Sequence, residues 1–86
     1  MSSEKQHINI AALLNLVEDL LNIDQGSLTS ETRLVNVSAW DSMGVLLLMA
    51  EMDERFGITL NETTLANLRS TADIIDVVRR AGLLKE

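Results

Sequence analysis

Ile10, Leu13, Leu14, Val17, Leu20 and Leu21 recur at intervals of three and four, the spacing that puts side chains on one stripe of an α-helix. Ser3, followed three residues later by Gln6, has the form of a capping box, and the period stops near Asn22, so the pattern predicts a first helix across this segment. From Ile23 to Trp40 the period dissolves into turn-forming Gly, Ser, Thr and Asn, a loop of about eighteen residues. Loops of that length in small domains are anchored or functional, so Leu28, Leu34 and Val37 are expected to dip into the core. The helical period returns at Asp41-Ser42 and runs to Phe56, where Gly57 stops it. Leu48, Met52 and Phe56 lie four apart, with Leu46 and Met49 flanking them as a broad inward face, and Glu51, Asp53, Glu54 and Arg55 cover the outside. Leu47 does not fit that stripe. A short helix over Glu62 to Asn67, seeded by Asn61 or Thr63, precedes a last helix capped by Ser70 or Thr71, with Ile74, Ile75, Val77 and Val78 inward. Arg79 and Arg80 suit the negative end of its dipole, and Gly82 is its natural terminator. The prediction is all-α, a four-helix bundle of three main helices and one short one, with a long loop between the first two. No run alternates long enough to be a strand.

Composition narrows the function. Residues 1–86 have room for one aliphatic core, hence one domain, with 47% hydrophobic residues but a single Trp and a single Phe. Without cysteine there is no disulfide framework and no thiol nucleophile of the chain's own, so a cytoplasmic setting is the expectation. Seven Lys and Arg against 13 Asp and Glu give a charge of −6, which argues against nucleic-acid binding. The apolar stretch Ile8 to Ile23 is broken by Asn9, Asn15, Glu18, Asp19 and Asn22, so neither a membrane span nor a signal peptide is expected.

Catalytic machinery is hard to find. His7 is the only histidine and has no second imidazole or cysteine to complete a metal site, and the four glycines form no phosphate-cradling loop. Glu51, Asp53 and Glu54 are the polar face of an amphipathic helix rather than an acid–base pair. An independent enzyme is therefore not expected, and a hydrolase using Ser42 lacks a nearby base. One arrangement survives. Ser42 follows Asp41 where the long loop meets a helix start, beside backbone N–H groups that favour an anion such as an esterified phosphate. The ordinary alternative is that Ser42 or Asp41 simply caps the helix, in a small adaptor whose Leu46, Leu47 and Ala50 surface binds a partner helix.

The segment WDSMGVLLLMAEMDERFGITL, residues 40–60, resembles the core motif of the acyl carrier and peptidyl carrier protein family. Asp41 and Ser42 stand on the family's Asp-Ser pair, Met43 on its leucine, and Phe56-Gly57 on its helix end. The leading amphipathic helix, the long loop with Leu34, and LRSTADIIDVV extend the resemblance over nearly the whole chain. It implies that Ser42 accepts 4′-phosphopantetheine from coenzyme A through a phosphopantetheinyl transferase, with Asp41 in the magnesium site formed there. Fatty acyl, polyketide or aminoacyl groups would then ride as thioesters on the cofactor's thiol. Partners would be acyl- or aminoacyl-loading and acyl-processing enzymes, and the chain a monomer. A cofactor that brings its own sulfur accounts for thiol chemistry in a chain without cysteine.

Gly44 and Leu47 depart from the pattern, because many fatty-acid-type members carry acidic residues there. Gly44 gives up about 1 kcal/mol of helix propensity relative to Ala, as expected either for close approach of a partner backbone or for a tolerated first-turn glycine. Met43, Gly44, Leu46, Leu47 and Ala50, with Asp53 and Glu54 supplying charge, form the expected docking surface. Trp40 is expected to pack the loop onto the core or to shape the approach to Ser42.

Overall fold

The structure is a computed structural model that describes residues 7–85. Its four helices are α1 (Ile10–Leu21), α2 (Ser42–Glu51), α3 (Glu62–Ala66) and α4 (Thr71–Arg80). Leu13, Val17 and Leu21 of α1, Leu48 of α2, and Ile74, Ile75 and Val78 of α4 meet in one apolar core. Among the described residues no helix is long and apolar enough to cross a membrane.

The first helix starts later than the sequence pattern predicts. Ser3 and Gln6 lie outside the described residues, and the cap is Asn9, whose side-chain oxygen accepts the Ala12 N–H at 2.7 Å. Ile8 and Asn9 are extended because they form β1 (Ile8–Asn9), which pairs in parallel with β2 (Leu84–Lys85), Ile8 opposite Leu84. Two residues per strand are too few to show an alternating pattern, so this pairing leaves no mark in the sequence. The other end falls as expected: Asn22 takes the left-handed conformation, φ 56°, and closes α1.

The long loop is anchored at both of its ends. Near α1, the Glu18 carboxylate is 1% exposed and its Oε2 accepts the N–H groups of Gly26 and Leu28, each at 2.9 Å. Near α4, Leu34 N–H donates to the Arg69 carbonyl and Thr71 N–H to the Thr32 carbonyl, both at 2.9 Å. The buried Thr71 hydroxyl accepts the Thr32 N–H at 3.0 Å and donates to the Thr29 carbonyl. Within the loop Leu28 and Leu34 are buried, Val37 is half-buried, and Leu34–Asn36 form a single 3₁₀ turn.

After Glu51 the second helix widens into a π-helical turn, Met52–Phe56, which buries both Met52 and Phe56. Gly57, φ 67°, then reverses the chain, with Ile58 N–H donating to the Met52 carbonyl at 3.1 Å. The short helix α3 is capped by Asn61, which accepts the Thr64 N–H at 2.8 Å. In α4 the N-cap is Ser70, and Asp73 reaches back to the Ser70 N–H at 3.0 Å. At its far end Arg80 pairs with Asp76 at 2.8 Å.

Candidate functional site

The long loop delivers the chain to α2 through Val37, Ala39 and Trp40, all half-buried and packed against the core. Trp40 N–H donates to the Val37 carbonyl at 2.9 Å, which fixes the turn just before the helix. Packing the loop is therefore one job Trp40 does, and it also lines a groove between the loop and the start of α4.

Asp41 takes the N-cap position in extended conformation, and its Oδ1 accepts the Gly44 N–H at 2.9 Å. The Asp41 carbonyl accepts Val45 N–H at 2.9 Å, so the first helical bond is in place. Ser42 is the first residue of the helix proper and is exposed. Of the two residues that could cap the helix, Asp41 does so and the Ser42 hydroxyl does not. The N–H groups of Ser42 and Met43 have no intrahelical acceptor and stand at the positive end of the helix dipole. An esterified phosphate fits this place: the hydroxyl is accessible, donors surround it, and a second group already performs the capping.

Gly44 is corrected by the geometry. It is buried, and a Cβ there would lie 2.5 Å from the Ala39 carbonyl oxygen and 2.8 Å from Leu21 Cδ2. The close approach that excludes a side chain is made by this chain's own loop and α1, so Gly44 is no part of an exposed docking surface. Leu46 is corrected in its inward role: at 58% exposed it flanks no core. Leu47, at 40%, and Met43, at 62%, are exposed as well, and so are Ala50, Asp53 and Glu54. Among the described residues Val35, on the 3₁₀ turn, is the most exposed of the large apolar side chains at 84%, and no helical period marks it. Only its place in a turn-rich stretch could have marked it. Glu51 is half-buried and holds Arg55 at 2.6 Å. His7 is exposed, and no cluster of metal-ligating side chains occurs among the described residues.

A family model described as "Phosphopantetheine attachment site" matches residues 11–78. The chain belongs to that family. Among its relatives, the acyl carrier protein MbtL of Mycolicibacterium paratuberculosis is 33% identical over 72 residues, covering 84% of this chain and 80% of the relative. The meromycolate extension acyl carrier protein of Mycolicibacterium aurum is 24% identical over 80 residues, 93% of this chain and 81% of the relative. An acyl carrier protein of Phytoplasma australiense is 32% identical over 60 residues, 70% of this chain and 79% of the relative. No solved structure gives a significant match. As a family member the chain is an acyl or peptidyl carrier with 4′-phosphopantetheine as its covalent cofactor. The matched span takes in the start of α2 and the loop that leads to it.

Proposed function

We propose that Ser42 is the attachment point of the phosphopantetheine, that Asp41 helps hold magnesium during transfer, and that residues 1–86 act as one monomeric cytoplasmic carrier domain. The cofactor supplies a terminal thiol on which acyl groups are held as thioesters. The chain catalyses no step itself in this reading; a phosphopantetheinyl transferase installs the arm, and acyl- or aminoacyl-loading and acyl-processing enzymes do the chemistry. The observation that carries the reading is the division of labour at the start of α2. Asp41 caps the helix through the Gly44 N–H, which leaves the exposed Ser42 hydroxyl without a structural task.

Met43, Leu46, Leu47 and Ala50 then serve as the apolar docking surface, with Asp41, Asp53 and Glu54 steering encounter. Three large apolar side chains exposed on one ten-residue helix support this, since folding alone gives them no partner. The decisive experiment is incubation of the chain with coenzyme A, magnesium and a broad-specificity phosphopantetheinyl transferase. Intact mass should rise by one phosphopantetheine, and peptide fragmentation should locate it on Ser42. A gain located on any other residue, or no gain, refutes the assignment.

A further inference from the structure

Among the described residues, two grooves differ in charge. One, of about 350 Å³, lies along the second helix, lined by Leu46, Met49, Ala50, Asp53, Thr59 and Leu60; its one charged residue is acidic. The other, of about 930 Å³, lies between the long loop and the start of α4. Its apolar part comes from Leu34, Val35, Trp40 and Leu68, and its charged lining is Arg33, Arg69 and Glu31, two cations against one anion.

That excess is unusual in a chain of net charge −6. Arg80 is paired with Asp76, and Arg55 with Glu51. Arg33 and Arg69 form no ion pair among the described residues, and both line the same groove. The backbone holds them side by side: Arg33 bridges to Ser70, the neighbour of Arg69, and Leu34 N–H donates to the Arg69 carbonyl. Two cations that line one groove favour an anion between them. A guanidinium is well matched to a carboxylate, which it can bind through two parallel hydrogen bonds. The groove's volume lies within the range of small-molecule sites, which runs from about 300 to 1,000 Å³. Trp40, on its wall, is two residues before Ser42.

We infer that this groove receives the far end of the carried acyl group, and that this end bears a free carboxylate held by Arg33 and Arg69. The cargo class is thus a dicarboxylic acid joined to the arm through one carboxyl group. The inference rests on the attachment reading at Ser42.

The test loads the chain through the transferase with either succinyl-coenzyme A or butyryl-coenzyme A, acyl groups of equal carbon count that differ in the terminal carboxylate. Mass confirms loading first, so a missing mass gain overturns the attachment reading and this inference with it. In loaded protein, Trp40 is the only source of indole emission and of an indole N–H resonance. The succinyl form should shift the Trp40 signals and the Nε–H resonances of Arg33 and Arg69 relative to the butyryl form, and added salt should shrink the difference. The double variant Arg33→Gln/Arg69→Gln should abolish it while its unfolding temperature stays at the wild-type value, because the loop is fastened there through main-chain groups and Thr71. Identical spectra for the two cargoes overturn the inference, as does a succinyl-specific shift that survives in the double variant. If the spectra match but the double variant loses affinity for a loading enzyme, the arginines serve an acidic protein surface and the inference is likewise overturned.

Discussion

Helices α2 and α4 have the same length, ten residues each, and opposite logic. In α4 the apolar residues face inward: Ile74, Ile75 and Val78 are buried, and the outer face carries Asp76, Arg79 and Arg80 in ion pairs one turn apart. In α2 only Gly44 and Leu48 are buried, while Met43, Leu46 and Leu47 face solvent. Apolar area left in water on a helix of this length contributes nothing to folding. Helix α4 spends its apolar residues on the core, whereas α2 leaves apolar side chains and the Ser42 hydroxyl at the surface, where the fold does not use them.

That contrast can be broken by substitution. The largest effect is expected at Phe56, fully buried at the end of the second helix, where Phe56→Ala should cost about 3 to 5 kcal/mol in denaturant unfolding. A cost below about 1 kcal/mol would show that the turn after α2 is not a core element. Next comes Gly44→Ala, which places a methyl group against the Ala39 carbonyl oxygen and Leu21 Cδ2. The added Cβ should cost about 1 to 3 kcal/mol, against the gain of up to about 1 kcal/mol that helix propensity alone predicts for glycine to alanine. A stabilised variant would mean that the loop and α1 yield easily and that Gly44 has no packing role. The smallest stability effect is expected at Leu47→Glu, within about 0.5 kcal/mol of wild type because the side chain is already exposed. The same change should weaken binding to the cognate enzyme by removing apolar contact and desolvating a carboxylate. Wild-type binding should respond weakly to salt, since few exposed ion pairs are available to screen. A variant that unfolds several degrees earlier would place Leu47 in the core; one that binds as well as wild type would make it ordinary surface.

Much of the fold was legible because helical period and caps carry it. The end of α1 at Asn22, the burial of Leu28 and Leu34, the Asn61 cap of α3 and the stripe of α4 all follow from local rules. What escaped depended on partners distant in sequence. The start of α1 is set by Ile8 pairing with Leu84 at the other end of the chain, so the capping-box pattern at Ser3 was no guide. Glu18 breaks the apolar stretch of the first helix, yet it lies four residues after Leu14 and three before Leu21, a spacing that puts it on the inward stripe. Its occupation there is explained only by the Gly26 and Leu28 N–H groups it receives from the loop. Gly44 was legible as a close approach, but not as an approach of Ala39. At the candidate site the Asp41-Ser42 pair was plain in the sequence; which of the two caps the helix was not, because both residue types are good caps. The arginine groove was invisible, since Arg33 and Arg69 meet only when the loop is tied to the start of α4.

The claim that α2 begins with a functional hydroxyl, rather than a structural one, is tested most directly by Ser42→Ala measured two ways on one preparation. Thermal unfolding should match wild type, because Asp41 still caps the helix, and treatment with coenzyme A, magnesium and transferase should add no mass. A variant that still gains one phosphopantetheine, or that takes none but unfolds well below wild type, would contradict it.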